Sequence, residues 1–427
     1  MKILVIGQGG REHTLVWKIA QSPLVEKIYC TPSNAGIAQI AETISIGDDY
    51  TEIANWAESN KIDLTVVGPE APLAYGIVDI FNEHNLTVFG PNKNAAQIEG
   101  SKDFAKQLMG KNGIPTASHQ TFTDADKAID YIKNIGTSVF VKADGLAAGK
   151  GVIPGRTVDD AIEAVKTILV DRAFGDAGDS VVIEEELIGE EASFTVLSDG
   201  SYCLPFVSSQ DHKMSQDGDT GKNTGGMGAY SPAPVITPDI QEYVMDRIVY
   251  PTIQGMSQIG CPFKGVLYVG LMMTEAGPKV LEYNCRFGDP ETQVLLPRLK
   301  SDLIPILLAC IEGTLEQQTD VEWHPEAAAC VVMASGGYPD PYQTGKVISG
   351  LSNAESIDDV NVFHAGTNFD DENVVTAGGR VLGVTALGEN LKNAIETAYK
   401  GVSEIHFNDV HYRKDIGYRA LSRSENC

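Results

Sequence analysis

Residues 280–291 read VLEYNCRFGDPE and place polar side chains at every second position of a predicted strand. On a strand, residues two apart share a face, so Glu282 and Asn284 would present two oxygen ligands side by side. Magnesium prefers such oxygens together with the phosphates of a substrate. Arg286 continues the same face, where a guanidinium could stabilise a phosphoryl group in transfer. We therefore predict a metal and phosphoryl-transfer site; the alternative is an edge strand with solvated polar residues.

A lysine-bearing strand is followed by a loop of small residues in residues 141–151, VKADGLAAGKG. Glycine and alanine allow backbone N–H groups to approach phosphate oxygens, and Lys142 and Lys150 add positive charge. The loop is not a Walker A motif, which requires G-x-x-x-x-G-K-[ST], because Lys142 precedes the glycines. We predict a phosphate-binding loop that includes Gly149; the alternative is a flexible surface hairpin.

Acidic residues crowd the end of another predicted strand in residues 184–191, EEELIGEE. A solvated acidic face is the usual meaning of such a run. Because the run follows the Lys142 loop, it also fits a connector whose backbone contacts adenine and whose carboxylate contacts ribose hydroxyls. Both interpretations stay open from the residues alone.

The segment GQGGREH, residues 7–13, follows a predicted strand and opens a predicted helix. Backbone N–H groups at a helix N-terminus favour a phosphate, and the Arg11 guanidinium can hold one through two hydrogen bonds. A dinucleotide fingerprint would have its third glycine where Glu12 stands, and the second strand ends without a ribose-binding acid. The pattern therefore favours a sugar phosphate over NAD and disfavours a dehydrogenase, with a simple tight turn as the alternative.

A long polar loop spans residues 209–228, SQDHKMSQDGDTGKNTGGMG. A glycine-rich loop of this length in a compact domain is more often functional than incidental. His212 could be a general base. However, the chain has eight histidines and no H-x-x-x-H spacing, which favours a structural role for His212 and indicates no zinc site.

The rest of the chain must form elements that bring these segments together. Its 427 residues exceed what one hydrophobic core supports, so several domains are expected. Residues 2–90 alternate short apolar runs with amphipathic stretches, which predicts parallel βαβ units whose strands end at a ligand-binding edge. A βαβ-like passage over residues 120–190 predicts a small inserted lobe, and about a hundred residues at the end predict another α/β unit.

The formal net charge of −26, from 32 Lys and Arg against 58 Asp and Glu, would repel nucleic acids and anionic membranes. Anionic substrates must then be captured by local groups of Arg, Lys and backbone N–H. Seven scattered cysteines without a C-x-x-C spacing predict reduced thiols. We find no membrane-spanning run and no signal-peptide pattern, so we expect a cytoplasmic protein. The net charge predicts that it binds neither nucleic acid nor membrane. We also expect a monomer, which no feature of the sequence tests.

Together these segments resemble the ATP-grasp ligases, and within them the phosphoribosylamine-glycine ligase family, over essentially the whole chain. The most specific stretches are IGQGGREH, KADGLAAGKGV, SQDHK, NTGGMGAYSPAP and EYNCRFGDPETQ. The resemblance implies an α/β multidomain fold with an N-terminal Rossmann-like parallel sheet, a central ATP-grasp fold with a small inserted lid lobe, and a C-terminal α/β domain. The corresponding boundaries are 1–103, then 104–120 and 192–326 around an insert of 121–191, and 327–427.

The same resemblance implies ATP-dependent ligation of glycine to 5-phosphoribosylamine through glycyl phosphate, with Mg2+ or Mn2+, in purine biosynthesis. The nearest alternatives are another ATP-grasp carboxylate-amine ligase and a purine-pathway carboxylase. A non-catalytic ATP-binding regulator is a less favoured alternative, because Glu282, Asn284 and Arg286, the residues predicted for metal binding and phosphoryl transfer, are all present.

The resemblance also implies roles for individual residues. ATP is expected at Lys102, Lys142, Gly149, Glu184, Glu185, Leu187 and Glu191, with Lys106 as a rival to Lys102. Metal is expected at Glu282 and Asn284, and catalysis at Arg286, Lys213 and Asp211. Glycine and phosphoribosylamine are expected at Gly9, Gly10, Arg11, Glu70, Asn223, Thr224 and Gly288. Residues 270–273, GLMM, lack the further metal-binding acid that many ATP-grasp enzymes carry.

Overall fold

The architecture is that of a computed structural model, which describes residues 1–147, 150–318 and 320–424. The N-terminal region alternates strands and helices. Its strands are β1 (Lys2–Ile6), β2 (Lys27–Thr31), β3 (Glu42–Thr43), β4 (Leu64–Val67) and β5 (Val88–Phe89). Its helices are α1 (Gly10–Ile19), α2 (Tyr50–Ser59), α3 (Glu70–Tyr75), α4 (Ile77–Glu83), α5 (Gln97–Gly100) and α6 (Lys102–Lys111).

The N-terminal sheet is parallel, with strand order β3-β2-β1-β4-β5. Ile3, Leu4 and Val5 of β1 are fully buried, as expected for a parallel strand covered on both faces. This confirms the parallel sheet predicted from residues 2–90. The loops after β1 and β4 lead into α1 and α3, so both open at the carboxyl edge of the sheet.

A smaller sheet forms a lobe with its own core. The elements of the lobe are β6 (His119–Phe122), α7 (Ala125–Ile135), β7 (Val139–Ala143), β8 (Val152–Gly155), α8 (Val158–Val165) and β9 (Val181–Glu185). The strand order is β6-β9-β7-β8 and every pair is antiparallel, so the parallel pairing implied by the βαβ-like pattern is wrong. The segment between β7 and β8 is too short for a parallel crossover and makes a hairpin instead. Ile132, Val141 and Ile183 belong to the lobe core.

The middle of the chain builds an antiparallel sheet with strand order β11-β10-β16-β17. The strands of this region are β10 (Glu190–Asp199), β11 (Cys203–Pro205), β12 (Gln210–Asp211), β13 (Met214–Gln216), β14 (Thr220–Asn223), β15 (Gly228–Ser231), β16 (Lys264–Thr274) and β17 (Gly277–Asn284). Its helices are α9 (Pro238–Val244), α10 (Tyr250–Gln258), α11 (Thr292–Leu295) and α12 (Leu303–Glu312). The hairpin formed by β13 and β14 stands apart from this sheet.

The C-terminal sheet takes strands from two parts of the chain. The last elements are β18 (Ala327–Ala334), α13 (Leu351–Glu355), β19 (Val360–His364), β20 (Thr367–Asp370), β21 (Asn373–Thr376), β22 (Arg380–Gly388), α14 (Leu391–Glu404) and α15 (Tyr418–Ser424). The strand order is β12-β15-β18-β22-β19. Because β12 and β15 precede residue 327, residues 327–427 do not build this sheet alone.

The N-terminal and central regions share their hydrophobic cores. Leu4 and Phe81 of the N-terminal region lie in one buried cluster with Phe194 and Leu267 of the central sheet. The sheet edges of these two regions are therefore held in a fixed relation. None of the described helices is both long enough and apolar enough to cross a lipid bilayer.

A buried arginine fastens the β13–β14 hairpin to the C-terminal region. Arg413 is fully buried and donates hydrogen bonds to both carboxylate oxygens of Asp415 at 2.8 Å. It also donates to Asp219 Oδ1 at 2.9 Å and to the Met214 carbonyl at 3.1 Å. Although burial raises the pKa of Asp219, hydrogen bonds hold it well below its usual range. The carboxylate of Asp219 therefore stays ionised and keeps the hairpin in place.

We expect Arg413→Ala to lower the free energy of unfolding by about 3 kcal/mol, because two largely buried carboxylates would lose their shared cation. Urea unfolding followed by circular dichroism measures this change. Lys414→Ala is the matched control, since Lys414 is exposed and its loss should change stability by less than about 0.5 kcal/mol. Equal effects of the two substitutions would contradict the role given to Arg413.

Candidate active site

The polar residues of β17 share one face of the strand. Glu282 and Asn284 alternate with Tyr283, which is buried in the core. The Asn284 Oδ1 atom accepts a hydrogen bond from Arg286 Nη2 at 3.3 Å. Glu282, Asn284 and Arg286 therefore lie close together, as the alternation of side chains along a strand predicts.

Cations from several segments surround the Glu282 carboxylate. Lys213 Nζ lies 3.6 Å from Glu282 Oε1. Burial raises the pKa of Glu282, but the net shift is downward because of the surrounding positive charges, which are those of Lys213, Lys142, Lys102 and Arg286. This face of β17 is thus a place where an anionic ligand would meet several fixed positive charges.

Two carboxylates of the N-terminal region hold the guanidinium of Arg286. Its Nε donates to Glu70 Oε2 at 3.2 Å, and its Nη2 lies 3.0 Å from Glu99 Oε1. Glu99 is buried and also accepts the Cys285 N–H at 2.7 Å. Burial raises the pKa of Glu70, but Arg286 and Arg11 lower it to about 2. The ionised Glu70 and the buried Glu99 therefore hold the guanidinium in position.

Two lysines share one buried carboxylate at the base of the lobe. Lys106 Nζ donates to Glu184 Oε2 at 2.9 Å, and Lys142 Nζ lies 3.0 Å from Glu184 Oε1. The side chains of Lys106 and Glu184 are almost completely buried. Lys102 has no carboxylate partner among the described residues and donates to the Gly145 carbonyl at 3.2 Å. Of the two rival lysines, Lys102 thus lies at the glycine loop and Lys106 lies in the core.

The remaining described residues predicted for ATP lie in or beside the connector between β9 and β10. Glu185 is exposed and Leu187 is half-buried. Glu191 lies near the start of β10, with its Oε2 3.1 Å from Lys213 Nζ. Gly149 lies outside the described residues.

The β13–β14 hairpin begins and ends with residues predicted for the site. The Thr224 hydroxyl and N–H both donate to the Lys213 carbonyl at 2.8 Å, which joins the two ends of the hairpin. Asn223 is exposed on β14, and Asp211 is 5% exposed at the end of β12. His212 is buried, and its Nε2 accepts a backbone N–H of the C-terminal segment at 2.9 Å. His212 thus makes a structural contact.

The loop between β1 and α1 is bound to the segment that follows β17. The Arg11 N–H donates to Asp289 Oδ2 at 3.2 Å, and Arg11 Nη1 donates to the Phe287 carbonyl at 3.1 Å. Arg11 Nε and the Gly9 N–H both donate to the carboxylate of the buried Glu12. The Arg11 guanidinium is therefore engaged by protein groups.

A Cβ added at Gly10 or at Gly288 would displace the end of a neighbouring side chain. A Cβ at Gly10 would come 2.5 Å from Gln293 Nε2, and one at Gly288 would come 2.5 Å from Glu291 Oε2. The Gly10 N–H has no acceptor within the described part of the chain. The N–H groups of Gly9 and Arg11, the other two residues of the predicted amide loop, both donate to carboxylates.

Sequence analysis missed Arg380, the first residue of β22. Its Nη1 donates to the carbonyls of Gly225 at 2.7 Å and Asp289 at 2.6 Å, and lies 3.4 Å from Asp289 Oδ1. Arg380 thus links the C-terminal sheet to two loops that carry predicted site residues. A single arginine after two glycines has no informative spacing, so its position could be known only from the folded structure.

The donor set of Glu282 and Asn284 fits a magnesium or manganese ion that is shared with a substrate. No group of three or more His, Cys, Asp and Glu side chains in the described ranges is arranged to hold a metal alone. Mg2+ commonly takes one or two protein oxygens and completes its shell with phosphates and water. The carboxylate and amide oxygens on one strand face satisfy that requirement.

The antiparallel lobe, the central sheet and the cations between them define the class of protein. Residues 1–99, 100–292 and 328–419 match the N, ATP-grasp (A) and C domain models of phosphoribosylglycinamide synthetase. The biotin carboxylase domain of Hydrogenobacter thermophilus 2-oxoglutarate carboxylase, crystallised with MgADP, has the same fold. It gives a TM-score of 0.73 at 16% identity over 96% of this chain and 91% of that chain. The chain is an ATP-grasp enzyme.

Full-length relatives narrow the class to one family. The phosphoribosylamine–glycine ligase of Escherichia coli is 53% identical over 431 residues, which cover 100% of both chains. The crystal structure of the Thermotoga maritima phosphoribosylamine–glycine ligase gives a TM-score of 0.85 at 30% identity, over 97% of this chain and 100% of that one. The chain belongs to the phosphoribosylamine–glycine ligase family, whose members use ATP with Mg2+ or Mn2+.

Because Glu184 pairs with two lysines, the loss of Glu184 and the loss of one lysine should lower the stability by different amounts. We expect Glu184→Gln to lower the free energy of unfolding by about 3 kcal/mol, because two buried ammonium groups would lose the one carboxylate that pairs with them within the described ranges. Lys106→Met should cost less, since Glu184 and Lys142 would remain as a one-to-one pair. Urea unfolding of both variants measures the difference. A larger loss in Lys106→Met would show that Lys106, not Glu184, is the central member.

Proposed function

We propose that this enzyme joins glycine to 5-phosphoribosylamine while ATP is converted to ADP and phosphate. The single observation that supports this best is the set of cations on one face of β17, around a carboxylate and an amide suited to a metal. These cations are Lys102, Lys142, Lys213 and Arg286. Membership of the phosphoribosylamine–glycine ligase family supplies the identity of the substrates.

The chemistry requires two displacements. A carboxylate oxygen of glycine attacks the γ-phosphorus of ATP, the bond from phosphorus to ADP breaks, and glycyl phosphate forms. The amine of phosphoribosylamine then attacks the carbonyl carbon, the C–O bond to phosphate breaks, and the amine loses one proton. Both steps place negative charge on phosphoryl oxygens, which fixed cations stabilise without a protein nucleophile.

The phosphoryl group in transfer would lie over the face of β17. Arg286 is held by Glu70 and Glu99, so its guanidinium is oriented before the substrate arrives. Lys213 would stabilise the same group from the hairpin side. A metal ion held by Glu282 and Asn284 would neutralise charge on the ATP phosphates when bound.

The lobe would hold ATP. Lys102 and Lys142 would contact its phosphates together with the loop at Gly149. The Glu184 side chain already pairs with two lysines, so we assign it a positioning role toward Lys142. The backbone at Glu185 and Leu187 would contact adenine, and the Glu191 carboxylate would contact ribose.

Phosphoribosylamine would bind between the N-terminal loop and the glycine-rich loop of the central region. The open Gly10 N–H is suited to its phosphate. Arg11 would keep that loop in place, because its guanidinium is occupied by Glu12 and the Phe287 carbonyl. The further residues proposed for this pocket are Gly9, Glu70, Asn223, Thr224 and Gly288.

We also propose that the ligands of this protein are small molecules, that it is located in the cytoplasm and that it is a monomer. The domain boundaries 1–103, 104–120 with 192–326, 121–191 and 327–427 also remain proposals. Support for the inserted lobe comes from its separate sheet and core.

The first experiment is ADP release from the purified enzyme with Mg-ATP, with glycine and phosphoribosylamine omitted in turn. We expect release to require both, because the acyl phosphate forms on glycine and is consumed by the amine. Mass spectrometry should then detect glycinamide ribonucleotide. Release that continues without glycine and depends on bicarbonate would favour a purine-pathway carboxylase.

Glu282→Ala should lower kcat by roughly a hundredfold or more, the scale of losing one preorganised electrostatic contact to the transition state. The melting temperature should change little, because the side chain faces the site and Lys213 keeps Glu191 as a partner. Glu275→Ala, on the exposed turn between β16 and β17, is the control. Near-normal turnover in Glu282→Ala would remove the proposed metal site.

The rival lysines are separated by a matched pair of variants. Lys102→Ala should raise the KM for ATP roughly tenfold or more, the scale of one charge-assisted hydrogen bond, at unchanged stability. Lys106→Met should lower stability while changing the KM for ATP by less than about threefold, since Lys106 lies in the core. The reverse pattern would place Lys106 at ATP.

A further inference from the structure

Asp144 is the first residue after β7 and begins the loop of small residues that leads to β8. Its half-buried carboxylate accepts hydrogen bonds from two other segments of the chain. The donors are the Asp103 N–H at 2.7 Å, the Ser101 hydroxyl at 3.1 Å and the Ser180 hydroxyl at 3.2 Å. The carboxylate therefore joins the start of the loop to the first turn of α6 and to the segment before β9.

The backbone at Asp144 makes the same two connections. Its carbonyl accepts the Lys102 N–H at 3.1 Å, and its N–H donates to the Ser180 carbonyl at 3.2 Å. The N–H of Gly145 donates to the Ala177 carbonyl at 3.3 Å, and a Cβ at Gly145 would come 2.8 Å from the Ala177 Cα. The first two residues of the loop are therefore held by protein groups on two sides.

The contacts of Asp144 join two different hydrophobic cores. Ala105 and Leu108 of α6 belong to the core that the N-terminal and central regions share. Val141 and Ala143 of β7 belong to the core of the lobe. Because each core fixes only its own elements, the hydrogen bonds between them decide how the end of β7 lies against the first turn of α6.

Lys102 depends on this arrangement, because its ammonium has no carboxylate partner within the described ranges. Its Nζ donates to two neutral acceptors, the carbonyls of Gly145 at 3.2 Å and of Asp144 at 3.5 Å. Burial lowers the pKa of Lys102, while the negative charges of Glu282 and Asp144 act against that shift. A phosphate that binds Lys102 therefore displaces no ion-pair partner, and the backbone around Asp144 sets the position of the ammonium.

We propose that Asp144 is a positioning residue for ATP, whose carboxylate sets the separation of Lys102 and Lys142. This proposal rests on the proposed function, which places the phosphates of ATP at these two lysines. Glu184 fixes the Lys142 side chain, and Asp144 fixes the turn of α6 that carries Lys102. Cations that are placed before the ligand arrives lower the cost of ordering the site. Asp144 would not touch the phosphates itself, because its own charge would repel them.

Calorimetric titration with Mg2+ and AMP-PNP, a non-hydrolysable ATP analogue, tests this role. We expect Asp144→Ala to weaken binding roughly tenfold, the scale of one charge-assisted hydrogen bond. Asp144→Asn should bind within about threefold of the wild type, because its amide keeps an acceptor for the Asp103 N–H and can donate to a serine hydroxyl. Wild-type affinity in Asp144→Ala, or an equal loss in Asp144→Asn, would overturn the proposal.

A double variant shows whether Asp144 acts through Lys102. In the Lys102→Ala background, Asp144→Ala should weaken AMP-PNP binding by less than about threefold, because the lysine that it positions is already absent. Full additivity of the two losses would contradict the proposal. In steady-state assays of Asp144→Ala, the KM for ATP should rise while the KM values for glycine and phosphoribosylamine change by less than about threefold. An equal rise in all three would indicate general damage and would also count against a positioning role.

Thr121→Ala is the matched control, because the Thr121 hydroxyl also joins the lobe to α6. It donates to Asp103 Oδ1 at 2.5 Å and makes no hydrogen bond with Asp144 or Lys102 in the described part of the chain. Its affinity for AMP-PNP should equal that of the wild type. A loss as large as that of Asp144→Ala would show that any link between the lobe and α6 serves, and the specific role of Asp144 would be wrong.

Melting temperatures show whether each variant is folded. If Asp144→Ala does not fold, Asp144→Ser takes its place, since it also lacks the carboxylate and should show the same loss of affinity. Binding of AMP-PNP requires neither glycine nor phosphoribosylamine. A failure of the ligation assay would therefore overturn the proposed function, whereas the binding results decide the role of Asp144.

Discussion

Ion pairs between the cations of the active site and carboxylates from several parts of the chain are the interaction on which the rest of the structure depends. The site must collect positive charge to receive ATP, yet those charges would repel one another in its absence. Three of the four cations around Glu282 are therefore held by acids, and the fourth, Lys102, donates to the Gly145 carbonyl. The pairs are Lys142 with Glu184, Lys213 with Glu191 and Glu282, and Arg286 with Glu70 and Glu99. A chain with a net charge of −26 supplies such partners readily.

These acids belong to different regions of the chain, so the site is complete only when the regions pack together. Glu70 and Glu99 come from α3 and α5, Glu184 from β9, and Glu191 from β10. The shared core between the N-terminal and central sheets fixes the first pair relative to Arg286. Packing of apolar surfaces thus sets the geometry of the charges, and the charges add specificity to the packing.

Local patterns in the sequence were sufficient for the N-terminal sheet and for the polar face of β17. Both depend on periodicity, which a single segment carries. The antiparallel lobe was not predicted, because the relative direction of β7 and β9 is set by pairing between strands in the folded sheet, which the periodicity within each segment does not determine. The roles of Glu99 and Arg380 were not predicted either. Each contacts a partner more than ninety residues away in the chain, as Glu99 contacts Arg286 and Arg380 contacts Asp289. The spacing of residues in the sequence does not predict such long-range contacts.

The membership of β12 and β15 in the C-terminal sheet has a consequence for how the chain can be divided. A fragment that ended near residue 327 would keep β15 but lose β18, its hydrogen-bonded neighbour. The exposed edge of β15 would then offer unpaired N–H and C=O groups to other copies, which is a common route to aggregation. The family's C domain is therefore not a detachable module in this chain; a soluble fragment would have to take β12, β15 and the hairpin between them along with it.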